Sequence, residues 1–245
     1  LLYNEATFKE MEKAIEKMMA AKERERLGQL RETLLGNRTA SFKRNHFEVQ
    51  FPDLNKAQNK ALALIEKAED IAIVHGPPGT GKTTTLIKAI EQTLKKEKQV
   101  LVVAPSNTAV DLLVQKLIER KISVVRLGHP ARIDEDLITQ TLDAQVATHR
   151  DYKQLKQLRK DAQKIKRQAW KFKRNFGHEE RIERKALLKE ARETLDYAKD
   201  LEKFIIRDVL NETQVVAATL VGSNTRVLRD KEFQTVFIDE AAQAL

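Results

Sequence analysis

One stretch decides the fold: Ile71-Ala72-Ile73-Val74-His75-Gly76-Pro77-Pro78-Gly79-Thr80-Gly81-Lys82-Thr83-Thr84-Thr85. Its first four residues are apolar and predict a short buried strand, and its last residues begin a helix. Between them lies the pattern G-x-x-x-x-G-K-[ST], which runs from Gly76 to Thr83. In this pattern, glycines let backbone N–H groups face phosphate oxygens at a helix N-terminus. The stretch therefore predicts a strand, a phosphate-binding loop and a helix.

The loop predicts a nucleotide site with ATP and Mg²⁺ as cofactors. Lys82 would reach the β- and γ-phosphates, and the Thr83 hydroxyl would bind Mg²⁺. The alternative is an ordinary glycine-rich turn with no ligand, which the length of the match and its flanking strand and helix disfavour. We expect the cofactor contacts to come from Gly76, Pro77, Pro78, Gly79, Thr80, Gly81, Lys82, Thr83 and Thr84.

Further apolar runs alternate with amphipathic helical segments. The runs lie at residues 100–104, 122–127, 215–220 and 235–238. Short apolar strands that alternate with helices are typical of a parallel sheet covered by helices on both faces, an α/β fold. The last run leads into Asp239 and Glu240. Asp239 would hold Mg²⁺, and Glu240 would polarise the water that attacks the γ-phosphate. A solvated turn is the alternative for two acids at a strand end.

The alternation stops for about 70 residues, where leucine and alanine recur every three or four residues in a heptad pattern. The pattern predicts two antiparallel helices, a coiled-coil arm joined near residues 175–178, whose first helix is about 36 Å long. Its apolar seam is predicted to contain Leu155, Leu158, Ala162, Ile165, Ala169 and Phe172, facing Leu188, Ala191, Leu195, Ala198 and Ile205. Phe172 is expected to pack in this seam, whereas Trp170 is open to packing or to stacking on bases.

The net charge of +9 is concentrated in this arm. Residues 150–174 hold 11 Lys and Arg against 2 Asp, which leaves 34 residues of each sign elsewhere. A nucleic-acid-binding helix and a solvated charged helix both fit this pattern. The chain has no cysteine and no apolar run near the ~18 residues of a membrane span. We expect no membrane contact and a cytoplasmic location, or a nuclear one in a eukaryote.

Five segments, in order, carry a resemblance to a known family. They are Leu54-Asn55-x-x-Gln58, Gly76-Pro77-Pro78-Gly79-Thr80-Gly81-Lys82-Thr83, Ala104-Pro105-Ser106-Asn107-x-Ala109-Val110-Asp111, Arg126-Leu127-Gly128-His129-Pro130-Ala131-Arg132 and Asp239-Glu240-Ala241-Ala242-Gln243. Together they resemble the superfamily 1 helicases of the up-frameshift and immunoglobulin-mu-binding type. The resemblance covers essentially the whole chain and implies 5′-to-3′ translocation on single-stranded DNA or RNA, driven by ATP.

The resemblance also implies a domain plan. Residues 53–142 and 212–245 would form a RecA-like motor domain, incomplete at its C-terminus, residues 143–211 an inserted helical hairpin, and residues 1–52 a helical stalk and linker. In the family a β-barrel precedes this region and a second RecA-like domain follows it. The second domain supplies arginines that are worth about 10³–10⁵ in rate in comparable enzymes. We therefore expect this chain to be part of a longer helicase and to bind nucleotide but hydrolyse it poorly alone.

Residue roles follow from the same resemblance. Gln58 would contact adenine, although from the residues alone it fits a helix-capping box equally well. Gln243 would link the state of the γ-phosphate to the second domain and is grouped with Lys82 and Glu240 as catalytic. Contacts to the single strand are expected from Pro105, Ser106, Asn107, Thr108, Thr219 and Val221. Two rival functions are an AAA-type remodelling ATPase and a non-catalytic module that binds nucleic acid or protein.

Overall fold

The computed structural model describes residues 5–44, 50–171 and 177–243, with side chains from Phe8 onward. The described residues form eight α-helices and four strands. The helices are α1 (Glu5–Ala20), α2 (Arg26–Leu34), α3 (Lys56–Lys67), α4 (Lys82–Thr93), α5 (Asn107–Glu119), α6 (Leu142–Thr148), α7 (Tyr152–Ala169) and α8 (His178–Glu212). The strands are β1 (Val100–Ala104), β2 (Val124–Arg126), β3 (Val215–Thr219) and β4 (Val236–Ile238).

The chain forms two compact units. The first consists of Leu1–Leu137 and Gln214–Leu245 and contains the sheet, and the second is Ile138–Thr213 and contains α6, α7 and α8. The insertion expected at residues 143–211 lies within the second unit. The expected stalk segment, residues 1–52, falls in the same unit as the sheet.

The sheet has four strands in the order β2-β3-β1-β4, all parallel. Ala104 at the end of β1 pairs with Thr219 at the end of β3, and Val103 pairs with Ile238 of β4. Because the strands are parallel and in register, the segments that follow them leave the sheet along one edge. The predicted α/β fold is confirmed.

Buried aliphatic side chains hold this unit together. Val100, Val102 and Ala104 of β1 contact a core that includes Leu62 of α3 and Ile90 of α4. Val110, Leu113, Val114 and Leu117 of α5 join the same core and are all fully buried. Burial of each valine, leucine or isoleucine in this core stabilises the fold by roughly 1.5–3 kcal/mol relative to full exposure.

The predicted strand at residues 71–74 is wrong. These residues pair with no strand in the described part of the chain, and the Ile73 side chain is 77% exposed. An apolar run becomes a strand only where a neighbouring backbone accepts and donates its hydrogen bonds. No such pairing is present among the described residues, and the loop that follows leads directly into α4.

In the second unit, α7 and α8 form a helical hairpin. Leu155, Ala162 and Ala169 of α7 and Ala191, Ala198 and Ile205 of α8 are buried along the predicted seam. Arg159 of α7 donates to Glu202 of α8 at 2.6 Å, and Arg184 donates to the carbonyl of Ala169, so the helices run antiparallel.

Two details of the predicted hairpin are corrected. Helix α7 ends at Ala169, which makes it about 27 Å long rather than 36 Å. Leu195 is 40% exposed, because the neighbouring turns place Ala191 and Ala198 against α7 instead. Phe172 lies outside the described residues. Across the described helices, none combines the length and apolar character of a membrane span.

Candidate functional site

The phosphate-binding loop has the backbone that its glycines predict. Gly79 and Gly81 have φ angles of +78° and +80°, in the left-handed region that favours glycine. Gly81 also precedes the first residue of α4, and a Cβ there would lie 2.4 Å from Nε2 of Gln58. The backbone conformation is the reason that this position favours glycine, and any larger residue would also displace the end of the Gln58 side chain.

Lys82 holds its ammonium group against its own loop. Nζ donates to the carbonyl oxygen of Gly76 at 2.9 Å and to that of Pro77 at 3.3 Å. The Thr80 hydroxyl donates to the same Pro77 carbonyl at 2.8 Å. An ammonium has three N–H donors, so phosphate oxygens entering the loop could accept these hydrogen atoms in place of the carbonyls.

The acidic pair follows β4 directly. The backbone N–H of Asp239 donates to the Val103 carbonyl at 2.9 Å, which extends the pairing with β1 by one residue. Burial raises the pKa of Asp239, and the charge of Glu240 raises it further, while a hydrogen bond from the Glu240 backbone N–H and the charge of Lys82 act in the opposite direction. A carboxylate that is both desolvated and near a second carboxylate gains from a cation in the site. This fits the predicted Mg²⁺ ligand.

Glu240 has a strained backbone. Its φ is +49°, one of two positive values among the described residues that are not glycine. Its carboxylate accepts a hydrogen bond from Nε2 of Gln243 at 3.2 Å. The two predicted catalytic residues are thus in contact, and the backbone bends sharply where the acid is placed.

The predicted nucleic-acid residues lie at one edge of the sheet. Ser106 follows β1 and caps α5 by accepting from the Ala109 N–H at 3.1 Å, and its hydroxyl is 3.2 Å from that of Thr108. Thr219 ends the adjacent strand β3 and accepts from the Gly222 N–H at 3.0 Å. The structure brings together Pro105, Ser106, Asn107, Thr108, Thr219 and Val221, with Ser106, Thr108 and Val221 exposed.

Comparisons with known proteins show the family of this chain. A family model described as an AAA domain matches residues 53–245. The DNA-binding protein SMUBP-2 of Rattus norvegicus is 37% identical over 201 residues, which cover 78% of this chain and 19% of that protein. The ATP-dependent helicase NAM7 of Saccharomyces cerevisiae is 33% identical over 196 residues, covering 79% of this chain and 18% of that protein. The chain belongs to the superfamily 1 helicases of the up-frameshift type.

Some of the matches to this helicase family extend along the whole chain. An uncharacterised ATP-dependent helicase of Methanocaldococcus jannaschii is 30% identical over 282 residues, covering 100% of this chain and 41% of that protein. The chain spans less than half the length of each of these three relatives. It covers a part of the helicase motor, the part that holds the phosphate loop and the acidic pair.

In this helicase chain Gln58 contributes to a capping box. Its Oε1 accepts from the Asn55 N–H, and its own N–H donates to Asn55 Oδ1, both at 2.9 Å. Its Nε2 also donates to the carbonyl of Thr80 in the phosphate loop at 3.3 Å. The capping interpretation is confirmed, and the same side chain ties α3 to the loop.

The sequence interpretation assigned no role to Arg126 at the end of β2. Arg126 is completely buried and donates to Asp111, Asn107 and the carbonyl of Leu127. An arginine in an apolar strand was a signal in the sequence, because arginine is almost never fully buried without partners.

Proposed function

We propose that this chain is the first motor domain, with its helical insertion, of a helicase that couples ATP hydrolysis to 5′-to-3′ movement along single-stranded nucleic acid. One observation carries the proposal. The acidic pair after β4 and the exposed loop after the adjacent strand β1 lie at the same edge of the sheet, and the charge of Lys82 acts on Asp239. A change at the γ-phosphate therefore occurs close to the segments proposed to contact the strand.

The nucleotide chemistry divides among the site residues as follows. Lys82 would hold phosphate charge, and the loop N–H groups from Gly76 to Thr83 would surround the phosphates. Gln58 would contact adenine with the amide that now lies beside Thr80. Glu240 would polarise the attacking water, and Gln243, which contacts it, would report the state of the γ-phosphate to the second motor domain.

Magnesium ion would neutralise phosphate charge in this site when bound. Thr83 and Asp239 are its proposed protein ligands. The described ranges contain no cluster of three or more His, Asp or Glu side chains that could bind a metal ion by itself. A site with few protein ligands suits Mg²⁺, which keeps several waters and is held largely through the phosphates of its nucleotide.

The single strand would be bound at the sheet edge by Pro105, Ser106, Asn107, Thr108, Thr219 and Val221. Hydroxyl, amide and backbone groups of this kind contact phosphate and sugar without reading the bases. The strand can be DNA or RNA. A cytoplasmic or nuclear location and a second RecA-like domain as partner belong to the same proposal.

The nucleotide part of the proposal is tested by thermal unfolding with ATP, with and without Mg²⁺. We expect Mg-ATP to raise the melting temperature, because a ligand that binds only the folded state stabilises it by about 2.7 kcal/mol at 100 times its Kd. Lys82→Ala should abolish the shift. Lys96→Ala, which removes an exposed lysine just beyond α4, is the matched control and should keep it. A parental shift in Lys82→Ala, or none in the parent, would contradict a phosphate site.

The nucleic-acid part is tested by fluorescence anisotropy with labelled single strands. A deoxythymidine oligonucleotide and a uridine oligonucleotide of equal length distinguish DNA from RNA, since only the sugar 2′-hydroxyl and the thymine methyl differ. Binding of neither strand at low salt would contradict the proposed edge.

A further inference from the structure

Arg126 is the one charged residue that is fully buried in the described part of the chain. Removing a guanidinium from water costs several kcal/mol unless partners replace the lost hydrogen bonds. A strand residue needed only for packing could be aliphatic, as the neighbouring residues Val124 and Val125 are. The presence of arginine here therefore calls for a role beyond filling space.

Its guanidinium joins the segment after β1 to the segment after β2. Nε donates to Oδ1 of Asp111 at 2.8 Å, and Nη2 donates to Oδ1 of Asn107 at 3.0 Å. Nη1 donates to the carbonyl oxygen of Leu127. The second carboxylate oxygen of Asp111 accepts from the Asp134 N–H at 3.2 Å, so the carboxylate is held from both sides.

A glycine two residues after Arg126 leaves room for this arrangement. Gly128 has a φ of +154°, and a Cβ there would lie 3.1 Å from Nη1 of Arg126. A planar guanidinium with five fixed donors can hold three differently placed oxygens at once, which an ammonium on a flexible stem does not do in the same geometry.

The contact with Asn107 fixes the orientation of that amide. Arginine has donors and no acceptor, so the Asn107 oxygen must face it. The Asn107 nitrogen then points to the other side and carries two N–H donors with no protein acceptor among the described residues. We propose that Arg126 is a positioning residue for nucleic-acid binding, which holds Asn107 so that its amide N–H groups face a phosphate or sugar oxygen of the strand. The inference rests on the proposed function of this edge.

The first test changes the outward group and keeps the inward one. In Asn107→Asp one carboxylate oxygen still accepts from Arg126, while the other replaces the N–H donors and repels phosphate. We expect unchanged thermal stability, an unchanged Mg-ATP shift, and an affinity for a labelled deoxythymidine oligonucleotide that falls further than the about fivefold loss expected for Asn107→Ala. Asn55→Asp is the matched control, because it adds the same charge and aspartate caps helix α3 equally well. Its affinity should be parental.

The second test is a double-mutant cycle between Arg126 and Asn107. Arg126→Lys keeps a positive charge for Asp111 and removes the fixed fork. It should weaken strand binding in the parent and add nothing in the Asn107→Ala background, because its effect passes through Asn107. Ile90→Val, a core change expected to cost about 0.5–1.5 kcal/mol, controls for lost stability alone and should bind normally.

The outcomes separate the inference from the function beneath it. Parental affinity in Asn107→Ala would overturn the inference and leave the other residues of the proposed edge in place, whereas binding of no strand by the parent would contradict the edge itself. Weakened binding in Asn107→Ala together with a full, additive loss from Arg126→Lys would overturn the positioning role and leave the edge intact. If Arg126→Lys does not fold, Asn107→Asp decides alone, and affinity equal to the parent would overturn the inference.

Discussion

The sheet unit and the helical hairpin use their charged residues in opposite ways. In the sheet unit, the charges that matter are few and partly or wholly buried. Lys82 donates to carbonyls of its own loop, Asp239 is half-buried after β4, and Arg126 pairs with Asp111. In the hairpin, the cations of α7 lie on the exposed face and the seam beneath them is apolar. A substitution in the sheet unit should therefore alter the chemistry of one site. A substitution on the hairpin surface should instead alter the electrostatic potential over a wide area.

The largest expected effect is at the acidic pair. Glu240→Gln in the full-length parent protein should keep Mg-ATP binding and lower ATP turnover by about 10²–10⁴-fold, because the amide cannot accept a proton from water. Steady-state phosphate release measures turnover, and the Mg-ATP melting shift measures binding. Hydrolysis at the parental rate would show that Glu240 is not the general base.

A seam residue tests whether the hairpin folds by packing alone. Ile205 of α8 is completely buried in a cluster that includes Leu155 of α7. Ile205→Ala should destabilise the second unit by about 2–5 kcal/mol. Circular dichroism during heating should show helix loss at a lower temperature. Ile182→Ala, at an exposed position on the same helix, should change stability by less than about 0.5 kcal/mol. Equal melting of the two variants would refute the predicted seam.

Two aspartates of the sheet unit should respond to pH with opposite sign. Hydrogen bonds from the Ser41 hydroxyl and backbone N–H, and then from Arg26, hold the pKa of Asp70 well below its usual range. Its contribution is therefore present above the unfolded pKa of 3.8 and is lost as the pH falls below that value. Asp70→Asn should cost about 1–3 kcal/mol at pH 7 and progressively less in acid.

Asp239 provides the contrast, because its pKa is raised in the folded chain. A raised carboxyl pKa favours the folded state below the ordinary pKa and disfavours it as the pH rises through the folded value. Asp239→Asn should thus raise the melting temperature of the nucleotide-free chain at pH 7, by at most about 2–4 °C, while weakening the Mg²⁺ dependence of ATP binding. Urea titrations of the parent and of both variants between pH 3 and pH 7 would measure how the free energy of unfolding that each aspartate contributes changes with pH. Contributions that change with pH in the same direction would contradict the assignment.

The smallest expected effect concerns the surface of α7. Lys156, Lys160 and Lys164 are exposed and have no ion pair within the described residues, whereas Lys189, Lys199 and Lys203 of α8 pair with carboxylates of their own helix. If α7 contacts the strand, reversing its three lysines to Glu should weaken binding of all sequences alike. The log–log salt dependence should also flatten by about 0.7 per lost contact.

The three α8 lysines reversed to Glu are the matched control for charge. Their reversal should leave the salt slope closer to that of the parent. Anisotropy at several salt concentrations measures both variants. An unchanged slope after reversal of the α7 lysines would leave α7 as a solvated or protein-binding face.

The features that the sequence predicted correctly depend on neighbours close in the chain. The phosphate loop, the capping box at Asn55 and the seam from Leu155 to Ala169 follow from local spacing, and each is present. Parallel pairing of the later strands was predicted from their alternation with helices, which also repeats locally.

The errors and omissions depend on neighbours that are distant in the chain. Residues 71–74 have the composition of a strand but no described partner strand, and composition does not supply hydrogen bonds. The role of Arg126 requires Asn107 and Asp111 to meet it across a strand and a helix. Helix α7 ends at Ala169, earlier than predicted. The heptad positions up to Ala169 are the same whether or not the helix continues, so the heptad pattern did not reveal where the helix ends.

The left-handed backbone conformation of Glu240 destabilises the fold at the residue that we propose as the general base. A side chain there costs of order 1 kcal/mol that glycine would not, so Glu240→Gly would relax the backbone while removing the proposed base. Selection for thermal robustness alone would thus favour the loss of this acid. If Glu240 is the proposed base, its backbone conformation is a cost to the folded state that catalysis would offset.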